Sequence, residues 1–152
     1  MANTPKPVVT NKEASRDFYL EKSYEAGIQL RGDEVKSIRA GKANLKGSFV
    51  RVEGNQVVVF GMHVAPYKFA REEQDPLRPR KLLLNKFEIK QIVGRSTREG
   101  YTIVPTKVYF RRGYAKVEIA LAKGKKLYDK RASLKKKQAD REIQRALRSK
   151  NR

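Results

Sequence analysis

Apolar and polar residues alternate along residues 113–122, where Ala115, Val117, Ile119 and Leu121 interleave with Lys116, Glu118 and Ala120. That period of two predicts a half-buried strand, because successive side chains of a strand point to opposite faces. The same reasoning predicts strands over 48–53, 56–61 and 101–110, with Gly54-Asn55 turning the first pair and Arg111-Arg112-Gly113 leading into the last strand. Residues 57–60 are continuously apolar, which suits a strand covered on both faces. Residues 16–30 read as a further strand, since Phe18, Leu20, Tyr24, Ala26, Ile28 and Leu30 share one parity, and Gly27 within it marks a bulge or a close approach. Pro66 restricts residues 63–67 to a short edge strand, and residues 71–78 read as a loop.

Helical spacing appears twice before the C-terminal segment. Asp33 is the predicted N-cap of a short helix with Glu34 in its first turn, Val35 and Ile38 on its buried side and Gly41 as its stop. A second helix is predicted from Pro79 to Gly94, with Leu82, Ile89, Ile92 and Val93 on one stripe. Leu83 and Phe87 lie off that stripe, so they either pack under a loop or form an exposed apolar contact for a partner. Five or six short antiparallel strands with two or three short helices predict a mainly β fold, a small closed antiparallel OB-like barrel; closure removes the edges so small a sheet would expose. The expected organisation is a flexible leader over 1–10, the barrel over 11–124 and a basic tail over 125–152. The tail is expected to lack structure in the free protein: its helix formers are good, but like charges crowd it and its apolar stripe is thin.

Charge then narrows the function. Thirty-six Lys and Arg against 16 Asp and Glu leave a net charge of +20, a field that favours polyanions. Half of it lies in residues 123–152, where 13 basic residues face Asp129, Asp140 and Glu142. No apolar run approaches the length of a membrane span, no signal-peptide pattern opens the sequence, and cysteine is absent, so the expectation is a cytoplasmic nucleic-acid binder without disulfides or thiolate metal sites. Phe18, Tyr19, Tyr24, Tyr67, Phe69, Tyr101, Tyr109, Phe110 and Tyr114 stand among the basic residues; two or three of these rings are expected to be surface platforms for stacking and the rest core. Catalysis has no support: His63 is the single histidine, no carboxylate pair is spaced with a nucleophile, and residues 41–48 lack the order of a phosphate loop. No cofactor or metal is expected. A ribosomal or assembly protein with a basic tail, an RNA hydrolase using His63, and a basic amphipathic membrane helix at 133–149 are the alternatives to an RNA-binding adaptor.

Several stretches, taken in order, resemble the SsrA-binding protein (small protein B) family, the bacterial partner of transfer-messenger RNA. They are Asn11-Lys12-Glu13-Ala14, Tyr24-Glu25-Ala26-Gly27-Ile28, Glu34-Val35-Lys36-Ser37-Ile38-Arg39-Ala40-Gly41, Arg80-Lys81-Leu82-Leu83-Leu84-Asn85, Gly100-Tyr101-Thr102-Ile103-Val104-Pro105, and Ala122-Lys123-Gly124-Lys125-Lys126 with Asp129-Lys130-Arg131. The resemblance implies an adaptor without catalysis of its own, which binds the transfer-RNA-like domain of that RNA and accompanies it, with elongation factor Tu, to stalled ribosomes for trans-translation. It implies RNA-facing positions at Asn11, Lys12, Arg16, Glu25, Leu83, Asn85, Lys116, Lys123, Lys125 and Lys126. It also implies a tail that becomes helical in the small-subunit decoding region and vacant messenger channel, carried by Tyr128, Asp129, Lys130, Arg131, Lys135, Lys136, Lys137, Arg141, Arg145 and Arg148. One departure stands at Arg16-Asp17-Phe18, where family members commonly carry His then Asp/Glu-Tyr: charge is kept and a tyrosine hydroxyl is lost.

Overall fold

The computed structural model describes residues 5–69, 75–125 and 127–150, without the side chains of residues 98, 127–130, 133, 149 and 150. In chain order its elements are β1 (Val9–Thr10), α1 (Lys12–Asp17), β2 (Phe18–Ile28), α2 (Gly32–Arg39), β3 (Ala43–Asn44), β4 (Phe49–Glu53) and β5 (Gln56–Phe60). There follow β6 (His63–Val64), β7 (Arg80–Leu83), α3 (Lys86–Arg98), β8 (Thr102–Arg111), β9 (Tyr114–Gly124) and α4 (Leu127–Lys150). Antiparallel pairing runs β8–β4–β5–β7–β2–β9 and returns from β9 to β8, so the six strands form a ring, with β1 added to a free stretch of β8 and β3–β6 as a separate pair.

Alternation along the strands fills the ring. Ala26 and Ile28 of β2, Val57 and Val59 of β5, Leu82 of β7, Ile103 and Val108 of β8, and Val117, Ile119 and Leu121 of β9 share one core. Ile38 of α2 and Ile92 of α3, both fully buried, join it. Each Val, Leu and Ile among them contributes roughly 1.5–3 kcal/mol by leaving water. A smaller cluster lies elsewhere, where Ala14 of α1 packs with Val104, Ala122 and Phe18.

Several sequence expectations are corrected. Val9 and Thr10, placed in a flexible leader, pair with Val108 and Lys107 of β8, and Arg16 and Asp17, placed in a strand, end the helix over 12–17. The irregularity in β2 falls between Leu20 and Ser23, not at Gly27; it resets the parity, so Leu20 is exposed while Tyr24, Ala26 and Ile28 stay buried. The first predicted helix starts two residues early, with Arg31 rather than Asp33 as its N-cap, because Glu34 reaches back to the Arg31 N–H at 2.9 Å; Glu34 rather than Val35 is the buried side chain.

The largest correction concerns residues 79–94. Residues 80–83 are strand, with Arg80 and Leu82 buried and Leu83 exposed, and helix α3 begins only after Asn85. Asn85 caps it, its Oδ1 accepting from the Glu88 N–H at 2.8 Å, and the helix runs through Gly94 to Arg98. Residues 127–150, expected to be unstructured in the free chain, form the single helix α4, consistent with 24 residues that hold no Gly or Pro. Its described side chains from Arg131 to Arg148 are all exposed, and it borders α1.

A buried ion pair chooses strand over helix for residues 80–83. Arg80 is 1% exposed, and its Nε donates to Glu34 Oε2 at 2.6 Å. Its Nη1 donates to the Met62 carbonyl at 2.7 Å and its Nη2 to the Pro76 carbonyl at 3.1 Å. Arg78 adds a second guanidinium, its Nη2 on Glu34 Oε1 and its Nε on Oε2 at 3.2 Å. Burial pushes the Glu34 carboxyl up, but hydrogen bonds from Arg78, the Arg31 N–H and Arg80 outweigh it, so the group is held below its ordinary value.

Removing one partner of such a pair leaves an uncompensated buried charge, at about 3–5 kcal/mol. Glu34→Gln should lower stability by about that amount in denaturant titration, and Glu34→Leu with Arg80→Met should recover part of the loss. Because the folded value of Glu34 lies below its unfolded value near ~4.3, its contribution is complete above that pH and drains as pH falls through the folded value. The parent protein should therefore lose stability on acidification in this range more steeply than Glu34→Gln does.

Candidate nucleic-acid interface

Strand register places Leu83, Lys116 and Glu25 on the outward face of the ring. Leu83 of β7 lies opposite Gly27 of β2, Gly27 opposite Lys116 of β9, and Lys116 opposite Tyr109 of β8. Their sequence neighbours Leu82, Ala26, Ile28, Val117 and Val108 are core, so this row of four points away from it. Gly27 is what lets Leu83 lean across: a Cβ there would sit 3.3 Å from Leu83 Cβ. Leu83 is 47% exposed, an apolar side chain left in water on a basic surface.

The adjacent row is polar. Glu25 stands opposite Glu118, and Glu118 opposite Lys107. Two carboxylates directly opposite are unfavourable unless each has its own cation or donor. Glu118 has Lys107 Nζ at 3.9 Å and the Thr106 hydroxyl, which donates to it. Glu25 has Arg111, whose Nε lies 3.1 Å from Oε1 without hydrogen-bond alignment. Both members of the Glu25–Arg111 pair are more than a third exposed, so it adds at most about 1 kcal/mol and serves to aim the guanidinium. Beneath them Tyr109 is buried; that burial, with the neighbouring Glu25 carboxylate, pushes its hydroxyl up to about 12, so the ring stays neutral.

A second group gathers around α1 and the end of β9. Asn11 holds α1 to β8 by donating from Nδ2 to the Pro105 carbonyl at 2.8 Å and from its backbone N–H to the Thr106 carbonyl at 2.7 Å. Thr106 in turn donates to Glu118, which links this group to the polar row. Lys12 is exposed on α1, and Arg16 pairs with Asp17 at 3.0 Å. Lys123 Nζ lies 4.7 Å from the centre of the Tyr101 ring, which Arg95 covers at 4.8 Å. Lys125 Nζ lies 4.9 Å from the Tyr19 ring and donates to the Ser15 carbonyl at 3.0 Å. Rings thus hold these cations at fixed heights above the surface.

The predicted set divides accordingly. Leu83, Lys116 and Glu25 come together on adjacent rows, while Asn11, Lys12, Arg16, Lys123 and Lys125 form the neighbouring cluster. Asn85 is exposed but spends its side chain on capping α3. Lys126 lies outside the described residues, as do the side chains of Tyr128, Asp129 and Lys130; Arg131, Lys135, Lys136, Lys137, Arg141, Arg145 and Arg148 are exposed on α4. Of the rings singled out from the sequence, Tyr19, Phe69 and Tyr114 are exposed, whereas Tyr24, Tyr101 and Tyr109 are buried. Tyr109 and Arg111 were missed as site residues, although their place two and four positions after Lys107 on an alternating strand puts them on the same face. His63 is exposed opposite Asn44, and among the described residues no group of three or more His, Cys, Asp or Glu is arranged to hold a metal ion. No described helix is long and apolar enough to cross a membrane.

Comparison with known proteins identifies the family. A family model described as SmpB protein matches residues 8–149. The SsrA-binding protein of Caldanaerobacter subterraneus subsp. tengcongensis is 51% identical over 146 residues, covering 95% of this chain and 92% of that protein. The SsrA-binding protein of Bacillus pumilus is 53% identical over 144 residues, covering 94% and 92%. A solved structure described as "tmRNA-SmpB: a journey to the center of the bacterial ribosome" superposes with a TM-score of 0.67 at 47% identity, over 80% of this chain and 87% of that one. With a family match that spans nearly its full length and relatives this similar along it, the chain belongs to the SmpB protein family.

Proposed function

We propose that this protein is an RNA-binding adaptor of trans-translation, which binds the transfer-RNA-like domain of transfer-messenger RNA and brings it to stalled ribosomes. The observation that carries this reading is the outward row in which Leu83, Gly27 and Lys116 stand together beside Glu25. An apolar side chain, an aimed cation and an acid on one face offer contact to an unstacked base, a phosphate and an exocyclic amine. Phosphate contacts supply affinity; Glu25, which repels phosphate, restricts where the RNA can sit. The six-stranded ring with its outward RNA face supports reading the domain as a closed OB-like barrel. Family membership supports the partners: the RNA itself, the ribosome, and elongation factor Tu through the RNA complex. The protein does no chemistry in this scheme and works in the cytoplasm.

The helix α4 is the ribosome-facing part. Its charge, +10 with the residues from Lys123 onward, and the exposure of its described side chains leave little of it held by the ring. A lone helix with crowded like charges is marginal in water, so its helicity should rise where ribosomal RNA phosphates neutralise it in the decoding region and vacant messenger channel.

Leu83→Ala, Lys116→Ala and Glu25→Ala should each weaken binding of the transfer-RNA-like domain by about tenfold with the fold intact, and Gly27→Ala should do so by displacing Leu83. Affinity of the parent should fall with salt at a log–log slope near −4, for about five neutralised phosphates. Equal affinity for any RNA of the same length, indifferent to these substitutions, would remove the specific site. Ending the chain after Arg131 should leave RNA binding in place and abolish tagging of nascent peptide on stalled ribosomes; full-rate tagging by the truncated protein would show α4 to be dispensable.

A further inference from the structure

The turn between β8 and β9 breaks a local rule. Arg112 has φ +53° and Gly113 φ +82°, so both central residues are left-handed. Glycine accepts that conformation without strain, and Asn is the side chain that tolerates it best at the first position; Arg does not. Nothing in the packing calls for arginine, since Arg112 is exposed. The tip is nonetheless held: Arg39 of α2 donates from Nη2 to the Gly113 carbonyl at 3.2 Å, and its guanidinium lies 4.6 Å from the centre of the Phe110 ring. One rung from the tip, Arg111 stands opposite Tyr114, which is 72% exposed. Tyr114 and Lys116 are two positions apart, as are Arg111 and Tyr109, so this rung continues the outward face on which Leu83, Gly27 and Lys116 lie.

We propose that the β8–β9 tip is a second anchor for the transfer-RNA-like domain, with Tyr114 stacking on an exposed base and Arg112 holding a phosphate. The proposal rests on the adaptor reading above and extends its surface. Continuity fixes the occupant: an RNA seated across Leu83, Gly27 and Lys116 meets the tip by following β9 two residues toward its start. Charge fits as well, because Arg111 and Arg112 are consecutive at the tip and Arg39 reaches the Gly113 carbonyl. A backbone conformation that disfavours arginine, kept with arginine in it, is the kind of local cost found where a side chain is needed for binding.

The substitution Arg112→Asn separates the two demands, since it suits the turn and removes the charge. It should raise the melting temperature or leave it unchanged, weaken the transfer-RNA-like domain by about three- to tenfold, and make the log–log salt slope shallower by about 0.7–0.9. Arg112→Lys should keep the slope. Tyr114→Ala, at an exposed position, should weaken binding by about tenfold without changing stability. Leu83→Ala is measured on the same RNA. If it weakens binding while Arg112→Asn and Tyr114→Ala leave affinity and slope unchanged, the tip is no anchor and the inference alone fails. If Leu83→Ala also has no effect, the adaptor surface itself is wrong. Loss of ribosome binding with unchanged affinity for the transfer-RNA-like domain would likewise overturn the proposal, by moving the tip to the ribosome.

Discussion

Everything on the outward face around Leu83 depends on where the guanidinium of Arg80 goes. Left in water, residues 80–83 have no reason to prefer strand, and the helical spacing of Leu82 with the residues after it would compete. Buried against Glu34, with its remaining N–H groups on the Met62 and Pro76 carbonyls, Arg80 fixes the parity of β7. Leu82 then enters the core and Leu83 must face out. The same pair ties α2 to β7 and to the segment before it, so one carboxylate sets the geometry of three parts of the chain. A buried ion pair is weak evidence for stability, because desolvation offsets attraction; its value here is in register, which a hydrophobic pair would specify less sharply.

From that register the interface follows with few further requirements. Gly27 leaves room for Leu83, β9 joins β2 to β8 and so brings Lys116 and Glu118 between them, and Arg111 keeps Glu25 from being a bare acid beside another. Apolar, cationic and anionic groups share a few rungs, and rings fix the cations of the neighbouring cluster. Such a surface is suited to shape and unpaired bases rather than to duplex sequence.

Much of this was legible in the sequence, and the failures have physical causes. The alternation in β9 and β8 and the Gly54-Asn55 turn are local signals, and they hold in the structure. The strand at 80–83 was hidden because its parity is set by a charged residue, Arg80, whose burial depends on Glu34 far away in sequence; a hydrophobic pattern counts Arg80 as surface. The capping signal of α3, Asn85 with Glu88 three residues on, is present in the sequence, but Pro79 offers a competing start. Leu83 and Phe87 were flagged for lying off the stripe, and both are exposed. The pairing of Val9 and Thr10 with β8 has no signal in two residues, since an edge addition depends on the strand it meets.

The central claim is that the outward row around Leu83 is the surface the transfer-RNA-like domain covers. Hydroxyl-radical footprinting of the full chain, free and bound to that RNA, measures it directly at the side chain. Leu83 and Tyr19, exposed now, should lose reactivity on binding, while Phe69, exposed beside Tyr67 and in none of the paired strands, should keep it. Unchanged oxidation of Leu83 in the saturated complex, with protection elsewhere on the ring, would contradict the account.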